Sequence, residues 1–206
     1  MTTPRPALLA CALGVLASGL AACGRGRVEA PPEPTVTSDV KEEPGRMHAH
    51  EAVTVSATVQ DVNPETRVVK LRGSDDEEIA FRAGPDVENL EQVRRGDVVQ
   101  VTYYQSVAIE LRKRGQAERG VETSSGVDRA EPGEKPGGVV TKSTQVTAEI
   151  VDIDKKRRTV TLRGPEGDTR MLPVENPEHL DVAKVGDLVE VTYTEAIGIK
   201  VEPPND

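Results

Sequence analysis

The sequence predicts an all-β chain: two small five-stranded barrels in tandem, each with one short helix between its third and fourth strands. Three observations carry this. Blocks recur at a spacing of about 90 residues, a scale of whole domains rather than solenoid repeats. Ala57-Thr-Val-Gln-Asp-Val-Asn63 matches Ala148-Glu-Ile-Val-Asp-Ile-Asp154, Val69-Lys-Leu-Arg-Gly73 matches Val160-Thr-Leu-Arg-Gly164, and Gly96-Asp-Val-Val-Gln-Val-Thr-Tyr103 matches Gly186-Asp-Leu-Val-Glu-Val-Thr-Tyr193. Within the blocks apolar residues alternate with polar ones, the period-2 mark of a half-buried strand. Between them stand Asn, Asp, Gly and Pro, the residues that reverse a chain.

The first strand alternates at Val53, Val55, Ala57 and Val59, and its second copy at Val146, Ala148 and Ile150. Asn63-Pro-Glu-Thr66 turns into a second strand, Arg67 to Arg72, with Val69 and Leu71 inward. Gly73-Ser-Asp-Asp76 turns again into Glu78 to Arg82. Asp86 and Asn176 then stand at equivalent positions as N-cap residues, with Pro177 at the first helical position, and Leu90 and Leu180 pin the short helices inward. Gly96-Asp97 and Gly186-Asp187 turn into fourth strands ending at Tyr103 and Tyr193. Val107, Ile109 and Leu111 make the fifth strand, as do Ile197, Ile199 and Val201.

Three strands, a helix and two strands is the order of the OB-fold. The blocks also resemble the small OB-like domains of bacterial envelope proteins, a group that includes periplasmic copper and silver metallochaperones. The repeats are expected over residues 47–113 and 139–203. Barrels of about 60 residues are marginal alone, so the two copies are expected to pack together. Residues 114–138, with Ser-Ser-Gly, Glu-Pro-Gly and Lys-Pro-Gly-Gly, read as a linker.

The N-terminus carries the address. Arg5 precedes an apolar or small run from Ala7 to Ala22, the layout of a secretory signal over residues 1–22. That run is too short and too rich in Ala and Gly for a membrane span of about 20 apolar residues. Leu20-Ala21-Ala22-Cys23 resembles the lipobox of bacterial lipoproteins. The resemblance implies cleavage before Cys23, acylation of its thiol and new amine, and attachment to the membrane by lipid. Gly24 rather than Asp follows the cysteine, which in that family implies the outer membrane, facing the periplasm. Residues 23–46, rich in Pro and Glu, read as a disordered tether.

Composition narrows the function. The net charge of −9 becomes −10 once Arg5 leaves with a signal segment that holds no acid. Such a chain suits neither nucleic acid nor anionic lipid surfaces. With no Trp, three Tyr and one Phe it also lacks stacking platforms for single strands. Cys11 and Cys23 are its two cysteines, so the mature chain is expected to have no disulfide and no catalytic thiol.

Met47, His48 and His50 are the candidate metal ligands, since imidazole with thioether suits copper and residues two apart share a strand face. Lys155, Lys156, Arg157 and Arg158, extended by Arg163, lie in a loop that OB-folds use for ligands, where a phosphate or anionic glycan could dock. Arg95-Gly96-Asp97 spells an adhesion tripeptide, but Val185-Gly186-Asp187 drops the arginine, which points to a turn. Asp75-Asp76-Glu77-Glu78 lacks the spaced oxygen ligands of a calcium loop. No nucleophile elbow, phosphate loop or His-Glu-x-x-His motif occurs. The expectation is a non-catalytic envelope protein without cofactor, bound to the membrane by its lipid and to a protein or glycan partner. A metal carrier and a passive spacer are the alternatives.

Overall fold

A computed structural model describes residues 31–204. The expected signal segment, Cys23 and the first part of the tether lie outside the described residues. The strands are β1 (Thr35–Glu43), β2 (Arg46–Asn63), β3 (Val68–Arg72), β4 (Glu78–Arg82), β5 (Val98–Arg112), β6 (Gly120–Arg129), β7 (Gly137–Asp154), β8 (Thr159–Arg163), β9 (Thr169–Pro173) and β10 (Leu188–Glu202). A 3-10 turn, Leu90–Gln92, precedes β5, and the short helix α1 (Glu178–Val182) precedes β10.

The all-β expectation holds, but the strands form one open antiparallel sheet rather than two separate closed barrels. Its order is β4-β3-β2-β5-β10-β7-β8-β9, with β1 also on β2 and β6 also on β7. The expected fourth and fifth strands of each copy are single 15-residue strands, β5 and β10. Tyr104-Gln105-Ser106 and Thr194-Glu195-Ala196 contain neither Gly nor Pro, so nothing turns the chain there. β5 and β10 pair along their whole length, with Gln105 opposite Glu195. These two residues occupy equivalent positions, so a pseudo-two-fold axis passes between them.

Two further expectations fail for one reason. The tether contains β1 at residues 35–43, and the linker contains β6 at residues 120–129. Both are polar, fully or nearly exposed strands whose partners are the early halves of β2 and β7. Backbone pairing with an already ordered strand, rather than burial, holds them, and Val-Thr-Ser composition permits it. The repeats therefore begin earlier than residues 47 and 139.

A bulge bends each long strand. The β2–β3 register shifts between Val59 and Asp61, and the β7–β8 register between Ile150 and Asp152. An extra residue in one strand increases local twist. Beyond each bulge the chain curls over the sheet as a lobe: β3, β4 and the 3-10 turn form lobe 1, and β8, β9 and α1 form lobe 2.

The caps differ in detail from expectation. Asn89, in a left-handed conformation with φ 57°, precedes the 3-10 turn in place of Asp86. Pro177 rather than Asn176 takes the cap position of α1, and Asn176, one residue before it, accepts a hydrogen bond from the Glu178 N–H at 3.0 Å.

The expectation that the copies pack together is met by exchange. Val201, at the end of copy two, completes the lobe 1 core with Val59, Val69, Ala83, Leu90 and Val93. Its counterpart Leu111, at the end of copy one, reaches lobe 2. The Gly-Asp turns carry the same exchange. Gly96 and Gly186 have φ of 93° and 92°, a region that a side chain disfavours. Asp97 accepts from the Arg94 N–H at 2.8 Å and Asp187 from the Lys184 N–H at 3.1 Å, as a turn reading requires. Each buried carboxylate also meets a lysine from the other copy: Lys135 bonds Asp97, and Lys113 bonds Asp187 at 3.1 Å. Burial alone pushes the Asp187 carboxyl up. The Lys113 ammonium and the Arg114 and Lys184 N–H groups outweigh that and hold it below its ordinary value.

Candidate functional site

The two lobes are built from one pattern but packed differently. In lobe 1, Val59 is 0% exposed, and Val69, Val93 and Leu90 are 4–5% exposed. In lobe 2, Ile150 and Leu180 are similarly buried. Val160, Val174 and Ala183, the counterparts of Val69, Ala83 and Val93, are only half-buried. They surround a cavity of about 390 Å³ that runs between lobe 2 and the central strands. That volume lies within the roughly 300–1,000 Å³ usual for small-ligand sites.

The core positions differ in both directions. Val93 stands where lobe 2 has Ala183, but Val59, Ala83 and Val201 stand where lobe 2 has the larger Ile150, Val174 and Leu111. The lobe 2 cavity is walled by Leu111, Ile150, Leu162, Leu180, Val189 and Val191, with Met47 and Leu172 also in the lining. Lobe 1 has a crevice of about 310 Å³, but it lies outside the core, between residues 86–89 and the β6–β7 hairpin.

A polar latch closes one side of the cavity. The β1–β2 turn lies against α1, and Gly45 takes φ 80° there, where a Cβ would come within 3.3 Å of Leu111. The Gly45 N–H donates to His179 Nδ1 at 3.0 Å, and the Gly45 carbonyl accepts from the Leu111 N–H at 2.8 Å. Because Nδ1 accepts, the proton of the neutral ring sits on Nε2, which donates to Glu42 Oε1 at 2.9 Å. That hydrogen bond holds the Glu42 carboxyl below its usual range. Both ring nitrogens are committed, so His179 is a latch between the copies. In lobe 1 the same position is held by Asn89, whose Nδ2 donates to the Glu131 carbonyl at 2.8 Å.

A second polar cluster lies midway between the lobes. The Tyr103 and Tyr193 hydroxyls both donate to Glu195 Oε1, at 3.0 and 2.9 Å. Loss of either phenolic proton would place negative charge beside the carboxylate. The Tyr193 phenol is pushed up to about 12, and that of Tyr103 is raised in the same direction.

The candidate metal ligands do not converge. His48 and His50 share a face of β2, with ring centroids 5.7 Å apart, and His50 stacks on Tyr104. Met47, one residue before His48, points to the opposite face and lines the lobe 2 cavity. Among the described residues, no three His, Cys, Asp or Glu side chains cluster as a metal site would require.

Residues Lys155–Arg158 do form the β7–β8 turn, but carboxylates already occupy several of its charges. Lys155 pairs with Asp181 at 2.9 Å, Arg157 with Asp154 at 3.8 Å, and Arg163 with Glu149 at 3.8 Å. Arg158 takes φ 52°, and its carbonyl accepts from the Val174 N–H, which ties the turn to the residue just after β9. Lys156 contributes its backbone N–H to Asp154 at 2.9 Å.

Sequence reasoning missed Glu42, Gly45, His179 and Ala183. Three of them act across the copy boundary, where spacing gives no signal. Ala183 could have been found by comparing the copies, since Val93 opposite Ala183 breaks the match inside a packed block. No protein-family model, curated protein or solved structure matches the chain, so the reading of this site rests on its own geometry.

Proposed function

We propose that this protein is a non-catalytic binding protein of the cell envelope, held to the membrane by acyl chains on Cys23, which uses lobe 2 to receive an apolar part of another envelope component. The observation that carries the reading is the cavity. Lobe 2 borders a cavity of about 390 Å³ with apolar walls, whereas the crevice of about 310 Å³ in lobe 1 lies outside its core. Apolar walls with a few polar groups at the rim describe a binding site, and the rim here holds Asn176 together with the bonded pair of Glu42 and His179. The lipobox resemblance supplies the address, and Gly24 favours the outer membrane.

In-cell photo-crosslinking tests this reading. A photoreactive side chain at Leu172, in the cavity lining, should capture one envelope component. The adduct should weaken with Ala183→Leu, which places three more carbons in the cavity. A Leu172 pattern no different from that of exposed Thr169 would overturn the binding reading. The anchor is tested separately. Cys23→Ser should leave a folded protein that no longer enters the detergent phase, because each buried methylene contributes about 0.8 kcal/mol and several chains are needed for stable attachment.

A further inference from the structure

We propose that strand β6 is the seam of a two-fold homodimer, in which it pairs antiparallel with β6 of a second copy. Among the described residues four strands, β1, β4, β6 and β9, have a partner on one side only. An unpaired edge offers a row of backbone donors and acceptors to another chain, and native proteins usually blunt it with charge, proline or shortness. β4 has five residues with Glu78 and Arg82 at its ends, and β9 has five and ends in Pro173. β1 carries Asp39, Lys41, Glu42 and Glu43. β6 is the least protected: ten residues long, with Thr123-Ser-Ser-Gly-Val127 as an uncharged centre.

The side chains of β6 select one register. With Ser124 opposite the partner's Ser124, Val121 meets the partner's Val127, Thr123 meets the partner's Ser125, and Glu122 meets the partner's Gly126. No like charges then stand opposite within the strand. Sliding by two residues one way puts Glu122 against the partner's Asp128. Sliding the other way parts the valines. Cross-strand apolar pairs stabilise a sheet, and like charges directly opposite destabilise it. A register that matches a strand to itself is what a two-fold interface requires.

The pairing also extends an existing feature. Val121 and Val127 are 60% and 54% exposed. Val127 pairs with Val140, Val140 with Ile197, and Ile197 with Tyr103, so one apolar row crosses four strands on a single face. In the dimer that row passes from Val127 into the partner's Val121 and Val146. This proposal uses the edge of the sheet and is independent of the lobe 2 cavity.

The test uses the whole chain carrying Cys11→Ser and Cys23→Ser, so that an introduced thiol stands alone. Directly opposed residues of antiparallel strands have Cα atoms about 4.5–5.5 Å apart, within disulfide range. Ser124→Cys should therefore oxidise to a covalent dimer at least about ten-fold faster than Thr169→Cys, because pairing raises the effective thiol concentration. Sedimentation should give a dimer mass for the unmodified chain and a monomer mass for Ser124→Lys, which sets lysine against lysine at an exposed position. A monomer mass for the unmodified chain would overturn the proposal. So would a dimer that Ser124→Lys leaves intact, or equal oxidation rates at residues 124 and 169.

Discussion

Lobes 1 and 2 share a strand order, a bulge, a Gly-Asp turn and a cross-copy lysine, yet Val69, Ala83 and Val93 of lobe 1 are buried while their counterparts in lobe 2 line a cavity. Val93 in lobe 1 stands against Ala183 in lobe 2, while Val59, Ala83 and Val201 stand against the larger Ile150, Val174 and Leu111. The same backbone scaffold thus accepts different core fillings in its two copies. Stability and binding capacity are separable within this one chain, with lobe 1 as the packed reference.

The largest test of that contrast is truncation of the two helical-turn leucines. Leu90→Ala should cost about 2–5 kcal/mol, as for a fully packed core leucine. Leu180→Ala should cost less, because part of its surface faces the void and has fewer contacts to lose. Denaturant unfolding of both variants measures this, and equal costs would mean that lobe 2 is packed as tightly as lobe 1.

Next in size is the cross-copy ion pair. Asp187→Asn removes a buried carboxylate that bonds Lys113, Arg114 and Lys184. The expected loss is about 1–3 kcal/mol, discounted because Lys113 is half-exposed and can turn to water. The native carboxyl is depressed, so its contribution is present above the ordinary aspartate value of about 4 and is lost as pH falls through the native value. Unfolding of the parent chain should therefore weaken with acid in that window, and the Asp187→Asn chain should lose that part of the slope.

The smallest effects are the most diagnostic. Val93→Ala removes two methylenes from lobe 1 and should cost about 2 kcal/mol, made up of transfer and cavity terms. Ala183→Val adds them to lobe 2 and should be neutral or stabilising by under about 1 kcal/mol. Opposite signs for the same exchange at equivalent positions would sharpen the comparison. A destabilising Ala183→Val would mean that the cavity has no room for two carbons.

Much of this architecture was legible in the sequence, because strand alternation and turn residues are local signals. The duplication, the inward Val59, Val69 and Ile150, and the Gly96-Asp97 and Gly186-Asp187 turns could all be read from short blocks. β1 and β6 could not. They are polar and exposed on nearly every residue, so they lack the alternation that betrays a strand, and they order only beside β2 and β7. The barrel expectation fails because the fold depends on Gln105 lying opposite Glu195, a pairing between copies that spacing within a copy does not encode. The latch of Glu42, Gly45 and His179 is hidden for the same reason, with 137 residues separating its acid from its histidine. Met47 and His48 were grouped by adjacency, whereas the two-residue period of a strand sends them to opposite faces.

The most direct test of the account is a methyl NMR titration of the whole chain with decanol, following leucine and valine signals in both lobes at once. The account predicts saturable shifts at Leu162, Leu172 and Leu180, with Val69, Leu90 and Val93 unmoved, and weaker shifts in Ala183→Leu. Equal shifts in the two lobes, or none up to the solubility of the alcohol, would contradict it.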